Sequence, residues 1–385
     1  MNHSETKILT THTGSLPRGA QLSKMLIAQE EGEKVDENLL SDLAKEGVQH
    51  CVGKQLEAGV DIINDGEQPR VGFQTYVAQR LEGFGGVSQR EVFSDFTEYP
   101  DFGEVWARRG NETAKVFDAP AADAEVCYTD LSLASQEFDM FDLALGEVNG
   151  DFSEKFMTAA SPGIICTTMG NQFYDSHENY VRAVGKEMQK EYELINERGY
   201  LLQLDCPDLA MERHGQFQHD SKAKFQDAIS MHIDAINDAC RNIPKERIRL
   251  HVCWGNYDGP HDCDVPLEDI ISIICDANVG AFLIEFANPR HQHEYAEIKK
   301  HPIPSDAILI PGVIDSTVNY IEHPQVVCNR ILEAVAAVGD KERVIAGVDC
   351  GFGTFAGWEM VAQSVVWAKL SAQAEGAKLA SKQLW

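Results

Sequence analysis

Arg247-Ile-Arg-Leu-His-Val-Cys253 is the stretch on which the reading of the fold turns. It is a short β-rich run with His251 and Cys253 two residues apart. In a strand, that spacing points both side chains to one face. On either side of it, similar runs alternate with longer stretches of helical period, the pattern of α/β architecture. Strand candidates fall at 8–12, 60–64, 125–128, 155–159, 201–205, 247–253, 281–286, 307–314 and 343–348. A (β/α)8 barrel needs eight strands, so one of 125–128 and 155–159 is expected to be an extra or edge strand. Helices are expected over 36–58, 177–199, 222–242, 323–338 and 358–380.

No Ser/Gly linker, low-complexity tract or fixed repeat interrupts the alternation, so a single TIM-barrel domain over 1–385 is expected, with a doubly wound sheet as its structural rival. The segment 84–123 breaks the rhythm. It is entered through Gly83-Phe-Gly-Gly86 and carries Phe93, Phe96, Tyr99, Phe102, Trp106 and Phe117. It reads as an inserted aromatic excursion over one end of the barrel, either a lid or a packing extension.

With 43% hydrophobic and 24% charged residues, the 385-residue chain can bury a large core. Its net charge of −28 makes nucleic acid and anionic membranes unsuitable partners. The N-terminus has no basic region followed by an apolar stretch, which predicts a cytoplasmic protein. In such a reducing compartment the ten cysteines are buried thiols, metal ligands or reactive groups.

Strand ends are where a TIM barrel collects its catalytic groups. Alone, the His251–Cys253 pair is more often core packing. Ala281-Phe-Leu-Ile-Glu-Phe286 then brings Glu285 to the end of a buried strand, where a carboxylate must be paired, for instance with Arg290, or metal-bound. Arg343-Val-Ile-Ala-Gly-Val-Asp-Cys-Gly-Phe-Gly-Thr354 places Cys350 in a glycine-rich turn at the end of the last strand. Together, His251, Cys253, Glu285 and Cys350 form a donor set that suits Zn2+ and disfavours magnesium, calcium or manganese. Glu285, the hardest donor, is the one expected to yield to a substrate. Two thiolates favour carrying a sulfur nucleophile over activating water.

At these residues the chain resembles the catalytic barrel of cobalamin-independent methionine synthase. The resemblance runs from Thr10-Thr-His-Thr-Gly-Ser-Leu-Pro-Arg18 to Val348-Asp-Cys-Gly-Phe-Gly-Thr354. It implies that His251, Cys253, Glu285 and Cys350 hold zinc. It also implies a homocysteine pocket at Gly14 and Ser15, at Glu67 in Asp65-Gly-Glu-Gln-Pro-Arg70, and at Asp205 in Leu201-Leu-Gln-Leu-Asp-Cys-Pro207. Two carboxylates suit a substrate ammonium independently of the resemblance. His12 and Arg18 either contact an anionic substrate end or order the first loop.

The chain departs from the family pattern in having room for one barrel and in Gly312-Val-Ile-Asp-Ser-Thr-Val-Asn319. There the Asp of the catalytic Asp-x-His pattern is kept as Asp315, while Thr317 stands where the histidine is expected. The implied activity is methyl transfer to a zinc-activated thiol, with homocysteine giving methionine. The altered donor half suggests a leaving group that needs no proton, such as a methylcorrinoid, free or on a carrier protein, or a sulfonium. The competing readings are an enzyme resembling epoxyalkane:coenzyme M transferase, in which a thiolate opens an epoxide, and a metal-free barrel akin to the uroporphyrinogen decarboxylases.

Overall fold

Alternating side chains build the ring that carries the site. The computed structural model describes residues 1–108, 114, 118–148 and 150–385. Phe117, counted above in the aromatic excursion, lies outside them. The described strands are β1 (Ile62–Ile63), β2 (Leu81–Val87), β3 (Pro120–Tyr128), β4 (Glu154–Ala160), β5 (Leu201–Asp205), β6 (Ile248–Val252), β7 (Ala281–Ile284) and β8 (Ile308–Pro311). Six pair in parallel in the order β1-β4-β5-β6-β7-β8. Isolated parallel bridges continue from both edges: Thr11 pairs with Ile62, Leu309 with Val344, Gly312 with Gly347, and Thr10 with Ala346. The sheet therefore curls until the segments near Thr10 and Val344 meet between its edges.

Leu9, Ile62, Phe156, Leu201, Leu283, Ile310 and Ile345 form one buried cluster drawn from strands all round this sheet. β6 is the exception, because Arg249 takes the corresponding position. Its guanidinium lies 4.2 Å from the centre of the Phe156 ring and donates to Thr11 Oγ1 and the His12 carbonyl. Burial lowers Arg249 to about 9. Two residues further along β5 and β6 the same face carries Gln203 and His251, then Asp205 and Cys253. The interior thus changes from apolar to polar towards the C-terminal strand ends.

The question of the extra strand is settled. β4 sits in the parallel sheet, whereas β3 pairs antiparallel with β2 in a separate two-stranded sheet. Between β2 and β3 run the short helices Ser94–Glu98 and Pro100–Arg108. The helices expected over 36–58, 177–199, 222–242 and 323–338 form as Glu37–Ala58, His177–Glu197, Lys222–Ala239 and Pro324–Val338. The last helix is Gln363–Leu384, later than the expected 358–380. Asn319 accounts for the late start: it accepts the Ala362 N–H and donates to the Met360 carbonyl, holding 360–362 as a loop. Trp358 is thereby left to pack against Trp106.

Candidate metal centre and its cavity

His251 and Cys253 follow each other along one face of β6 and its C-terminal end, and Cys350 arrives from the loop after residue 348. The three donor atoms lie within 4.8 Å of one another, all buried. The sulfurs of Cys253 and Cys350 are 3.8 Å apart. Two zinc–sulfur bonds of about 2.3 Å at a tetrahedral angle place sulfurs roughly 3.8 Å apart, so the spacing already fits a shared metal. Both ring nitrogens of His251 are buried without a hydrogen-bond partner, a costly arrangement unless something else binds there. The hydrogen bond with Cys350 pushes the Cys253 thiol well down, helped by the His251 charge.

Glu285 stands just beyond β7 and outside this three-residue cluster. Its Oε2 accepts the Trp254 N–H at 3.1 Å and its Oε1 accepts from Asn288 Nδ2 at 2.8 Å. Arg290 is not its partner, since the guanidinium donates to the His261 carbonyl. Asp349 fixes the loop after β7 relative to Cys350, accepting the N–H groups of Phe286, Ala287 and Asn288 at 3.0, 2.8 and 2.7 Å.

The cluster opens into a cavity of about 100 Å³ whose walls include Thr13, Ser15, Glu67 and Asp205. Glu67 has φ 54°, a left-handed conformation uncommon outside glycine. Asp65 Oδ1 accepts its N–H and Arg18 Nη2 donates to its carbonyl at 2.7 Å. Its Oε1 accepts from the Thr158 hydroxyl at 2.8 Å, and that hydroxyl in turn accepts from Arg70. Its Oε2 is buried without a partner. Asp205 Oδ1 accepts from Gln203 Nε2 at 2.8 Å. Burial pushes the Asp205 carboxyl up to about 7, against the opposing pull of His251.

Gly14 lies behind these groups. A Cβ there would stand 2.6 Å from both Glu67 Oε1 and Thr158 Cγ2, and its φ of +148° suits glycine. His12 is not brought to the cavity. Its Nε2 bonds Gln55 Oε1 at 2.7 Å, its ring packs edge-on to Phe156, and burial lowers it to about 3. Arg18 orders the first loop by bonding the carbonyls of Gly353 and Glu67. Asp315 also lies off the cavity wall, accepting the N–H and hydroxyl of Thr317 at 2.7 and 2.8 Å.

Sequence reasoning did not single out Gln74, Asn256, Tyr257 or Trp358, which line the same cavity. It also missed the buried group behind β6 and β7. There Asp264 meets His261 at 3.0 Å and His291 at 2.9 Å, and His291 stacks on Trp254 with ring centres 3.8 Å apart. Against burial, hydrogen bonds to Asp264 and Glu294 push His291 up to about 10. The histidines of 251–261 and 291–293 were the one signal for it, but they are scattered in sequence and lack ligand spacing.

A curled parallel sheet that gathers two sulfurs and an imidazole at its C-terminal strand ends defines an α/β protein with a donor set that could hold a metal beside an acidic pocket. The chain is similar to the cobalamin-independent methionine synthases: residues 8–107 match the family described as "Cobalamin-independent synthase, Catalytic domain". The methionine synthase of Thermococcus kodakarensis is 24% identical over 378 residues, spanning 97% of this chain and 94% of that protein. The methionine synthase of Saccharolobus solfataricus is 22% identical over 379 residues, with 97% and 95% covered. A solved B12-independent methionine synthase from Shewanella sp. W3-18-1, in complex with selenomethionine, shares the fold with a TM-score of 0.71 at 19% identity. It covers 98% of this chain and 99% of that one. The expectation of a methylcorrinoid carrier finds no support, since the family and this structure are described as cobalamin- or B12-independent. Among the described residues no helix is long and apolar enough to cross a membrane.

Proposed function

We propose that this chain is a zinc-dependent methyltransferase whose acceptor is the thiol of homocysteine, built as one (β/α)8 domain over 1–385. The observation that carries the reading is the His251–Cys253–Cys350 cluster, with sulfurs at metal-bridging distance and an unpartnered imidazole, opening into an acidic cavity. Residues 8–12 and 343–348 complete the ring of eight. The β2–β3 excursion, whose Phe93, Phe96 and Trp106 line the cavity, acts as its lid. Ten free thiols suit a cytoplasmic setting.

His251, Cys253 and Cys350 would hold the zinc, with Glu285 as the exchangeable fourth ligand. Zinc supplies the acidity that leaves a bound thiol deprotonated near neutral pH. The chain's own groups do the positioning. Glu67 Oε2 and the Asp205 carboxylate accept from the substrate ammonium, while Ser15 and the backbone at Gly14 receive its carboxylate. His12 and Asp315 act at one remove, the first by fixing Gln55 and the second by fixing Thr317. The apolar walls exclude water from the nucleophile.

The epoxide-opening alternative is not favoured, because a sulfonate-bearing thiol wants a free cation. Arg90, the arginine on the wall, is paired with Glu212. Elemental analysis should find about one zinc per chain, and a homocysteine methylation assay should show methionine formation. Cys350→Ser should lose most of the metal, while Cys240→Ser, at the end of the helix Lys222–Ala239, should keep it. Equal zinc retention in both variants would overturn the assignment.

A further inference from the structure

We propose that the methyl donor is a compact onium cation, a methyl sulfonium or a quaternary ammonium, held over the thiol by an aromatic wall; this rests on the methyltransferase reading above. The side of the cavity away from Glu67 is made by Phe93, Phe96, Trp106, Tyr257, Phe355 and Trp358. Tyr257 is its hub, with ring centres 6.4 Å from Phe93, 6.1 Å from Phe96 and 5.9 Å from Trp106. Trp106 also meets Trp358 at 5.2 Å. Rings gathered in this way attract a desolvated cation through their π faces.

The polar groups on this wall point the same way. Asn256 spends its amide on the Gly351 carbonyl and Thr354 Oγ1, and its oxygen accepts from Ser316. Arg90, whose guanidinium lies 4.9 Å over the Phe93 ring, is paired with Glu212 through Nη2, and its Nε is buried without a partner, so a bound cation would meet the wall at Tyr257, Trp106 and Trp358. On the opposing surfaces, Gln74 Oε1 and Glu67 Oε2 are buried acceptors with no donor. With Glu67 Oε2 taken by the homocysteine ammonium, Gln74 Oε1 is the acceptor left over, and it and the π surface suit a positive charge. A reduced pteridine brings several donors and acceptors on one edge, and most would be desolvated here without partners.

The chemistry balances without a proton donor. A lone pair on the thiolate sulfur forms the new S–CH3 bond as the C–S+ bond of a sulfonium breaks. The bonding pair stays on the departing sulfur, which leaves as a neutral thioether. A quaternary ammonium leaves as a neutral tertiary amine in the same way. An N-methyl donor of folate type would instead leave as an amide-like anion unless protonated. Thr317 donates its hydroxyl to Asp315 and is not placed to supply that proton.

The test uses zinc-replete full-length protein with homocysteine and three donors: S-methylmethionine, glycine betaine and methyltetrahydrofolate. One onium donor should exceed the folate in kcat/KM by at least about tenfold. Trp106→Leu should raise the KM for that donor several-fold while homocysteine affinity, read by calorimetry, stays within about twofold. Trp106→Phe, which keeps a π face, should restore most of the loss. Folate as the better donor, or Trp106→Leu and Trp106→Phe behaving alike, would overturn the proposal with the thiol half intact. Failure of the protein to bind homocysteine would instead overturn the methyltransferase reading itself.

Discussion

Replacing Glu67 with glutamine separates substrate recognition from metal binding and folding. Glu67 Oε1 is held by Thr158, and Oε2 is buried, unpartnered and part of the cavity wall. Burial pushes this carboxyl up, so the free protein tolerates a charge it would more easily do without. Glutamine keeps the size and the left-handed backbone at φ 54° while removing the charge. A hydrogen bond to a charged group contributes about 1.5–3 kcal/mol, so homocysteine affinity should fall roughly ten- to hundredfold. Zinc content should not change, and the melting temperature should hold or rise. Isothermal calorimetry on zinc-loaded protein measures the loss, with 4-mercaptobutanoic acid, which lacks the ammonium, as the control ligand. Equal losses for both thiols, or no loss for either, would refute the assignment of Glu67 to the ammonium.

Asp205 keeps its proton up to about 7 in the folded protein, against 3.8 for an ordinary aspartate. The native state therefore holds more protons than the unfolded chain between those values, and stability falls as pH rises through them. In metal-free protein, Asp205→Asn should gain stability at pH 8 relative to pH 4, on the order of 4 kcal/mol; urea denaturation at both values measures it, and no pH dependence of the difference would contradict the reasoning. His12 behaves oppositely: lowered to about 3 from 6.5 by burial, it contributes stability that is present above 6.5 and lost as pH falls towards 3. His12→Gln should flatten that acid limb, and an unchanged limb in the denaturation profile would show that other groups control it. Gly14→Ala meets Glu67 Oε1 and Thr158 Cγ2 at 2.6 Å and should cost about 1–3 kcal/mol together with homocysteine affinity; a variant as stable and as tight-binding as the parent would remove the close-approach argument.

The parallel sheet was legible because β4 to β8 are short, mainly apolar runs separated by helical periods, interrupted inside by Thr158, Gln203 and Arg249. The donor cluster was legible for the same reason: His251 and Cys253 share a strand face, and Cys350 ends another apolar run. What sequence could not resolve was three-dimensional convergence. Nothing in the local pattern says that Tyr257, in the loop after β6, meets Phe96 and Trp106 from the excursion near 84–123, because that pairing is set by β2 joining β3. Nor could it show that His12, conspicuous beside Gly14 and Ser15, turns away to Gln55. The late start of the last helix was equally hidden, since its residues keep helical period while a distant side chain, Asn319, decides where the loop ends.

The loop after β8 links the missing acid to the shape of the cavity. Asp315 receives both the N–H and the hydroxyl of Thr317, and its own N–H donates to Glu322 Oε1 at 2.9 Å. Glu322 is in turn paired with the buried Lys369 at 2.9 Å, which latches the loop to the last helix. A buried pair of this kind is costly to break from one side, so the loop is held in one arrangement. Thr317 is then committed to Asp315 and lies off the cavity wall, so the position that the family resemblance gives to an acid delivers no proton to the cavity. From the same loop, Ser316 donates to Asn256, which occupies one of the few polar groups on the aromatic wall. One rigid segment thereby removes a proton source and a hydrogen-bonding surface together. A donor that arrives positively charged and leaves neutral would need neither, so the proposed onium donor accounts for Thr317 at the position where the resemblance expects a histidine and for the aromatic wall together.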